Sequence, residues 1–259
     1  MRLVEGAQAI RGDLPSSSTI VVDVPLEAGD DQGSGVARLS AVQAVCDRQT
    51  EVLRTAASPV VTVGGDCGVE LASIGRAVGV ADGGSDVAVL WFDAHPDLHT
   101  PETSPSGAFH GMVLRTLLGE GHPSLVPAAP VALDHVLLIG TRAFDDEEAD
   151  YAEGAGLRTM SADELTPETL IAAIEAMGAS SVYIHIDLDV LDPGEFTGLT
   201  YPEPFGLTAA SLLELVRAVK AKFPIAGAGL TEFAPASMHD ASDDLPTILR
   251  ILGALTAKG

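Results

Sequence analysis

The chain has 259 residues and a formal net charge of −23, and 46% of its residues are apolar but only 4% are aromatic. Like charges repel, so this acidity disfavours nucleic acid and membrane surfaces as partners and favours a cationic ligand. Two cysteines cannot form a disulfide framework, no apolar run reaches ~18 residues, and the N-terminus lacks the order of a signal peptide, so we expect a cytoplasmic protein.

Apolar β-branched segments alternate with longer amphipathic segments, which predicts an α/β sandwich of three layers with a mainly parallel sheet. In chain order we predict strand 19–24, helix 37–56, strand 60–63, helix 69–78, strand 87–92, helix 111–118, strand 135–139, helices 146–153 and 167–177, strand 181–186, helix 209–222, strand 225–229 and helix 242–257. Thr166 and Thr208 are predicted to begin their helices. No repeat or linker divides the chain, so a single domain is expected over 1–259, and the segment 1–18 has no assigned role.

Three potential metal ligands follow the strand predicted at 87–92. Asp93, His95 and Asp97 occupy alternate positions, and alternate side chains of an extended backbone share one face. Two carboxylates and an imidazole are ligands that Mn²⁺, Fe²⁺ or Zn²⁺ accept.

A second acidic pair, Asp187 and Asp189, follows the strand predicted at 181–186. Open α/β sheets place their ligands at the carboxyl ends of strands. Taken alone, an Asp-x-Asp pair is more simply a turn or a helix cap. Four clustered carboxylates would repel one another unless cations lay among them, however, so the joint pattern favours two divalent ions.

The chain resembles the arginase, agmatinase and formiminoglutamase family in five motifs spread over about two thirds of its length. They are Gly-Gly-Asp-Cys at 64–67, Asp-Ala-His-Pro-Asp at 93–97, Ser-Gly-Ala-Phe-His-Gly at 106–111, Asp-Leu-Asp-Val-Leu-Asp-Pro at 187–193 and Thr-Glu-Phe-Ala-Pro at 231–235. The resemblance implies one catalytic domain holding two Mn²⁺ ions. Asp93 and Asp187 would bridge both ions, Cys67 and Asp97 would complete one site, and His95 and Asp189 would complete the other.

Cys67 departs from the family, which usually has a histidine at that position. A thiolate is softer than Mn²⁺ prefers, so Fe²⁺ or Zn²⁺ is an alternative metal. Two interpretations remain open, a ligand or a buried small residue at a helix start. Members that act on Nω-hydroxyarginine are similar in having a cysteine here.

The resemblance also implies the catalytic residues. His110 would be the proton shuttle and Glu232 would form a salt bridge with the guanidinium, and Asp97 would support catalysis as a ligand. A loop histidine and a surface acid are the respective alternatives.

For substrate binding, the resemblance implies that Asp145 and Glu148 bind the α-ammonium of an amino acid, although an exposed helix-start cluster explains them almost equally well. Ser106 matches a residue that binds the carboxylate, but His99 stands where arginases carry asparagine, and Tyr201 where they carry threonine. A cationic histidine can still bind a carboxylate.

The expected function is therefore hydrolysis of L-arginine or Nω-hydroxy-L-arginine, a cationic guanidino substrate, by a homo-oligomer, a trimer or hexamer. Two alternatives are another linear guanidine or amidine as substrate, such as agmatine, guanidinobutyrate or formiminoglutamate, and a catalytically impaired homologue that acts as a binding subunit.

Overall fold

The computed structural model describes residues 2–80 and 86–257 and is built on a six-stranded parallel sheet. The strands are β1 (Val60–Val63), β2 (Val87–Phe92), β3 (Val136–Ile139), β4 (Arg158–Met160), β5 (Ser181–Asp187) and β6 (Ile225–Thr231). Their spatial order is β1-β6-β5-β2-β3-β4, and each pair of neighbouring strands is parallel. The predicted parallel α/β class is confirmed.

Helices connect the strands. They are α1 (Arg2–Asp13), α2 (Leu39–Thr55), α3 (Glu70–Val80), α4 (Val113–Leu117), α5 (Asp146–Ala155), α6 (Pro167–Met177), α7 (Ala209–Lys222) and α8 (Met238–Thr256). Thr166 and Thr208 cap α6 and α7 as predicted, each accepting a hydrogen bond from the backbone three residues on. Within the described ranges, no helix is long and apolar enough to cross a membrane.

Both faces of the sheet are covered. Along β2, Ala88, Leu90 and Phe92 join a core cluster shared with α6, α7 and α8. Val87, Val89 and Trp91 point to the opposite face and join a cluster shared with α3 and α4. Since successive strand residues alternate between faces, a fully apolar strand fits a sheet buried on both sides.

The prediction of a strand at 19–24 is wrong. This segment has no helix or strand, and Ile20, Val21 and Val24 are exposed. β-Branched composition favours a strand only where a neighbouring backbone completes the ladder, and the segment has no such pairing here. The short strand β4 was not predicted because Arg158 and Thr159 are exposed and give no apolar signal.

The unassigned N-terminal segment contains helix α1, which packs against α8. The guanidinium of Arg2 donates to the backbone carbonyls of Ala234 and Pro235. Helix α1 approaches so closely that a Cβ at Gly6 would lie 1.9 Å from the carbonyl oxygen of Phe233. This helix therefore supports the loop that follows β6.

Candidate metal centre

Four adjacent strands bring the acidic motifs together. The carboxyl ends of β1, β6, β5 and β2 are neighbours in the sheet, and β5 pairs with β2 up to Phe92 and Ile186. Asp93 directly follows β2, and Asp187 is the last residue of β5. The register therefore places the two carboxylates expected to be shared side by side.

Asp93 is almost fully buried and held on both oxygens. Its Oδ2 accepts from the indole nitrogen of Trp91 at 3.1 Å, and its Oδ1 accepts from the backbone N–H of His95 at 2.6 Å. Burial favours the neutral acid, but polar contacts with His185 and His95 outweigh it and lower the pKa of Asp93 to about 2. Asp93 is thus an ionised carboxylate in the interior.

His95 and Asp189 form a close pair. Nδ1 of His95 lies 2.9 Å from Oδ2 of Asp189, and the other Asp189 oxygen accepts from the backbone N–H of Ala94. Burial opposes the imidazolium, yet the hydrogen bond with Asp189 and the nearby carboxylate of Asp93 raise the pKa of His95 to about 11. Asp189, buried and close to Asp93, has its pKa raised to about 6.

Asp187 connects this group to Cys67. Its Oδ1 accepts from the backbone N–H of Asp189 at 2.8 Å, and its Oδ2 accepts from the Cys67 thiol at 3.1 Å. Burial, followed by the charges of Asp189 and Asp93, raises the pKa of Asp187 well above its usual range. The pKa of the Cys67 thiol is raised by burial and then by Asp187. Without a cation, Asp187 and Cys67 both favour their neutral forms.

Two further acids are strained and incompletely bonded. Asp97 and Glu232 adopt left-handed backbone conformations, with φ of 51° and 64°. Each also keeps one buried carboxylate oxygen without a hydrogen-bond partner in the described structure, Oδ2 of Asp97 and Oε2 of Glu232. A strained backbone and an unpaired buried oxygen persist only where the surrounding fold imposes them. Such features cluster at functional sites.

The donor set fits divalent cations. Two groups of ligand atoms each lie within 4.8 Å of one another, Cys67, Asp187 and Glu232 in one and Asp93, His95 and Asp189 in the other. A cation would neutralise the mutual repulsion of the carboxylates and satisfy the unpaired oxygens of Asp97 and Glu232. Five of the six expected ligands belong to these two groups, namely Cys67, Asp93, His95, Asp187 and Asp189, whereas Asp97 belongs to no ligand group of the described residues.

His110 and Tyr201 lie beside this centre. Their rings stack at 5.6 Å between centroids with an interplanar angle of 16°, and the Tyr201 ring meets the His95 ring edge-on at 6.1 Å. His110 is half-buried, and neither residue belongs to a ligand group among the described residues. They form an aromatic wall next to the carboxylates.

The expected substrate-binding acids contact His99. Nε2 of His99 lies 2.8 Å from Oδ2 of Asp145 and 3.9 Å from Oε1 of Glu148. The same acids form the capping box of α5, in which each side chain accepts from the other's backbone N–H. The structure therefore shows a capping role for both acids, and their role in substrate binding stays a prediction. Ser106 is exposed, and its hydroxyl accepts from the backbone N–H of Ala108.

Sequence reasoning missed a second buried layer behind the ligands. His185 lies on β5 between Cys67, Asp93 and the buried carboxylate of Glu70, which also accepts from the Tyr183 hydroxyl. The available signal was a histidine and a tyrosine at alternate positions of an otherwise apolar strand, but its meaning depends on the glycines of β6 beside them.

A parallel α/β sheet with carboxylates and histidine gathered at adjacent strand ends defines a protein of the α/β class with a candidate metal centre. A sequence model described as the arginase family matches residues 8–250. The chain belongs to the arginase family.

Individual relatives agree with this assignment. Arginase from Bacillus caldovelox is 34% identical over 191 residues, covering 67% of this chain and 62% of the relative. An Nω-hydroxy-L-arginine amidinohydrolase from Streptomyces lavendulae is 34% identical over 193 residues, covering 73% of this chain and 66% of the relative. The match to the arginase of Bacillus subtilis covers 59% of that relative. The chain therefore spans about three fifths of the length of these two curated arginases.

Solved structures show the same fold. Arginase from Entamoeba histolytica in complex with L-ornithine has a TM-score of 0.85 at 21% identity, covering 97% of this chain and 92% of that one. The native Bacillus caldovelox arginase has a TM-score of 0.79 at 25% identity, with 92% and 83% covered.

Proposed function

We propose that the protein is a two-metal amidinohydrolase that cleaves the guanidino group of L-arginine or Nω-hydroxy-L-arginine, releasing urea or hydroxyurea. One observation carries the proposal. Buried carboxylates converge at neighbouring strand ends, and Asp97 and Glu232 keep unpaired oxygens there. Family membership and the relatives that are named arginase and Nω-hydroxy-L-arginine amidinohydrolase support it.

Six side chains would hold the metals. Asp93 and Asp187 would serve both ions, with Cys67 and Asp97 at one site and His95 and Asp189 at the other. Mn²⁺ is the expected ion, and Fe²⁺ or Zn²⁺ is the alternative that a thiolate favours. When bound, two divalent cations supply Lewis-acid activation of water, which provides a nucleophile near neutral pH.

The protein's own groups would bind and orient the guanidinium. Glu232 is the acid proposed for this task, because its buried Oε2 has no hydrogen-bond partner among the described residues. Burial and then the nearby Asp66 raise the pKa of Glu232 to about 8. A cation beside it would hold it ionised, and a guanidinium is such a cation. The strongly negative chain would also attract a cationic substrate from solution.

Proton transfer would fall to His110. Its ring lies nearly parallel to the Tyr201 ring at the edge of the centre, and there it would give a proton to the departing amine. At the other end of the substrate, Asp145, Glu148 and His99 form a cluster of two acids and an imidazole. Such a cluster suits an α-amino acid with its ammonium and carboxylate, and Ser106 would add a hydroxyl. Agmatine offers neither charged group.

A substrate screen tests the proposal. Metal-free protein would receive Mn²⁺, Fe²⁺ or Zn²⁺, then arginine, Nω-hydroxyarginine, agmatine or guanidinobutyrate, with urea or hydroxyurea as the readout. We expect turnover of one or both α-amino acids. Turnover of agmatine or guanidinobutyrate alone would indicate another guanidine hydrolase. Metal binding without turnover of any compound would indicate a binding subunit. The homo-oligomer stays a prediction.

A further inference from the structure

The fully buried His185 presents its two ring nitrogens to different partners. Nδ1 lies 3.1 Å from Oε1 of Glu70. Nε2 lies on the opposite side, 3.6 Å from Oδ2 of Asp93 and 3.8 Å from Sγ of Cys67. Contacts of this length to Nε2 are longer than a close charged hydrogen bond of about 2.7–2.9 Å. The nitrogen therefore faces two expected metal ligands and has no tight partner among the described residues.

The position of Glu70 is built into the sheet. Its carboxylate accepts from the Tyr183 hydroxyl at 2.5 Å and lies over Gly229, where an added Cβ would be 1.4 Å from Oε1. Gly229 is the register partner of His185 on β6. Only glycine at position 229 leaves room for the Glu70 carboxylate. The sheet thus holds a buried carboxylate against the far nitrogen of His185.

We propose that His185 is a nitrogen ligand of the metal at Cys67 and Asp93 and that Glu70 orients it. The inference rests on the two-metal site of the proposed function. A carboxylate bonded to the second ring nitrogen is the common support of metal-binding histidines. The ligand atoms of Cys67, Asp93 and His185 lie within 4.8 Å of one another, close enough to share one ion.

The donor chemistry indicates which ion. A thiolate, an imidazole and a carboxylate form a sulfur, nitrogen and oxygen set that suits Zn²⁺ and Fe²⁺ better than Mn²⁺. We therefore infer that this site selects Zn²⁺ or Fe²⁺, while the site of His95 and Asp189, with oxygen and nitrogen donors, accepts Mn²⁺. The rival interpretation is that a charged His185 replaces the ion, which would leave one metal per chain.

Two variants distinguish the contribution of the His185 Nε2 atom from that of the supporting Glu70 carboxylate. His185→Asn keeps a donor toward Glu70 but removes Nε2, and Glu70→Gln keeps the ring but weakens its support. His122→Asn is the control, because His122 hydrogen-bonds Ser124 and lies outside the ligand groups of the described residues. Unfolding of each metal-free variant shows whether it folds.

Two measurements give the ligation directly. Equilibrium dialysis with Zn²⁺ or Mn²⁺ gives the number of ions and their affinities, and X-ray absorption of the zinc-loaded protein counts sulfur and imidazole donors. For Glu70→Gln, the emission of Trp91, the one tryptophan of the chain, gives a further titration, because its ring stacks on His185 at 3.7 Å between centroids.

We expect two zinc ions in the wild type and in His122→Asn, one of them with a sulfur donor. His185→Asn should lose one imidazole donor and bind that ion at least roughly 100-fold more weakly, and Glu70→Gln should bind it roughly 10- to 100-fold more weakly. Unchanged zinc affinity in a folded His185→Asn would overturn the inference, as would one ion in the wild type. Two ions with the expected donors but no urea release would contradict the proposed activity and leave the ligand assignment standing.

Discussion

Asp97 and Glu232 share two properties although they lie far apart in sequence: each has a left-handed backbone, and each keeps one buried carboxylate oxygen unpaired. Both features oppose folding of the protein alone. The fold nevertheless holds both residues beside Asp93 and Asp189, whose charges raise their pKa values further after burial has done so. We interpret the strained backbone and the unpaired oxygens of these two residues as destabilising features that a bound cation offsets.

The first prediction follows from Asp97. Asp97→Gly should raise the free energy of unfolding of the metal-free protein by about 1 kcal/mol, because glycine adopts positive φ freely and no buried oxygen stays unpaired. The same change should weaken metal binding. Denaturant unfolding with and without Mn²⁺ measures both effects.

Arg38→Gly is the matched control, since exposed Arg38 is also left-handed, with φ of 59°, and is not an expected ligand. It should stabilise the metal-free and metal-bound forms equally. A metal-free Asp97→Gly protein that is less stable than the wild type would contradict the strain argument.

The second prediction concerns the shared carboxylates. Asp93→Ala and Asp187→Ala should each reduce urea release to background, because each change would remove a ligand of both ions. Asp163→Asn, an exposed acid, should leave the rate unchanged. Near-normal rates in either alanine variant would refute the two-metal centre.

The third prediction separates proton transfer from metal binding. His110→Ala should lower kcat by roughly 100-fold, the usual contribution of a positioned acid, and leave the metal content at the wild-type value. Elemental analysis and steady-state kinetics on one preparation provide the comparison. Loss of metal in this variant would assign His110 to the ligands instead.

The fourth prediction distinguishes a helix cap from a substrate contact. Asparagine caps helices about as well as aspartate, so Asp145→Asn should preserve the α5 cap while removing the charge. We expect KM for the α-amino acid substrate to rise roughly tenfold, as for loss of one charged hydrogen bond, with little change for agmatine. Equal changes for the two compounds would leave Asp145 a cap alone.

The fifth prediction is a pH dependence of the metal-free protein. The pKa of Glu232 is raised from 4.5 to about 8 and that of Asp189 from 3.8 to about 6. Between the ordinary and raised values the folded state binds more protons than the unfolded state. The free energy of unfolding should therefore fall as pH rises from about 4 to about 8.

Denaturant unfolding at about pH 5 and about pH 8 measures this loss. Added metal should reduce it, because cations stabilise the ionised carboxylates, and Glu232→Gln should make the decline smaller. Stability of the metal-free protein that rises over this pH range would contradict the sign.

The sequence predicted the elements that hold the centre because their signals are local. The apolar runs of β2 and β5 each end in alternating acids, and family motifs give the rest of the expected ligands. The role of Glu70 was not predictable in this way, since it depends on a slot over Gly229 in another strand. The strand prediction for 19–24 was wrong for the opposite reason, because this segment has a local strand signal but no neighbouring strand to pair with.

The central claim is that hydrolysis requires two ions per chain, and metal reconstitution tests it most directly. Chelated protein would be titrated with Mn²⁺ or Zn²⁺ while bound metal and product release from arginine and Nω-hydroxyarginine are measured together. We expect no turnover without metal and a rate that reaches its maximum only as the second ion binds. Full turnover by the chelated protein, or with a single ion per chain, would contradict the two-metal amidinohydrolase.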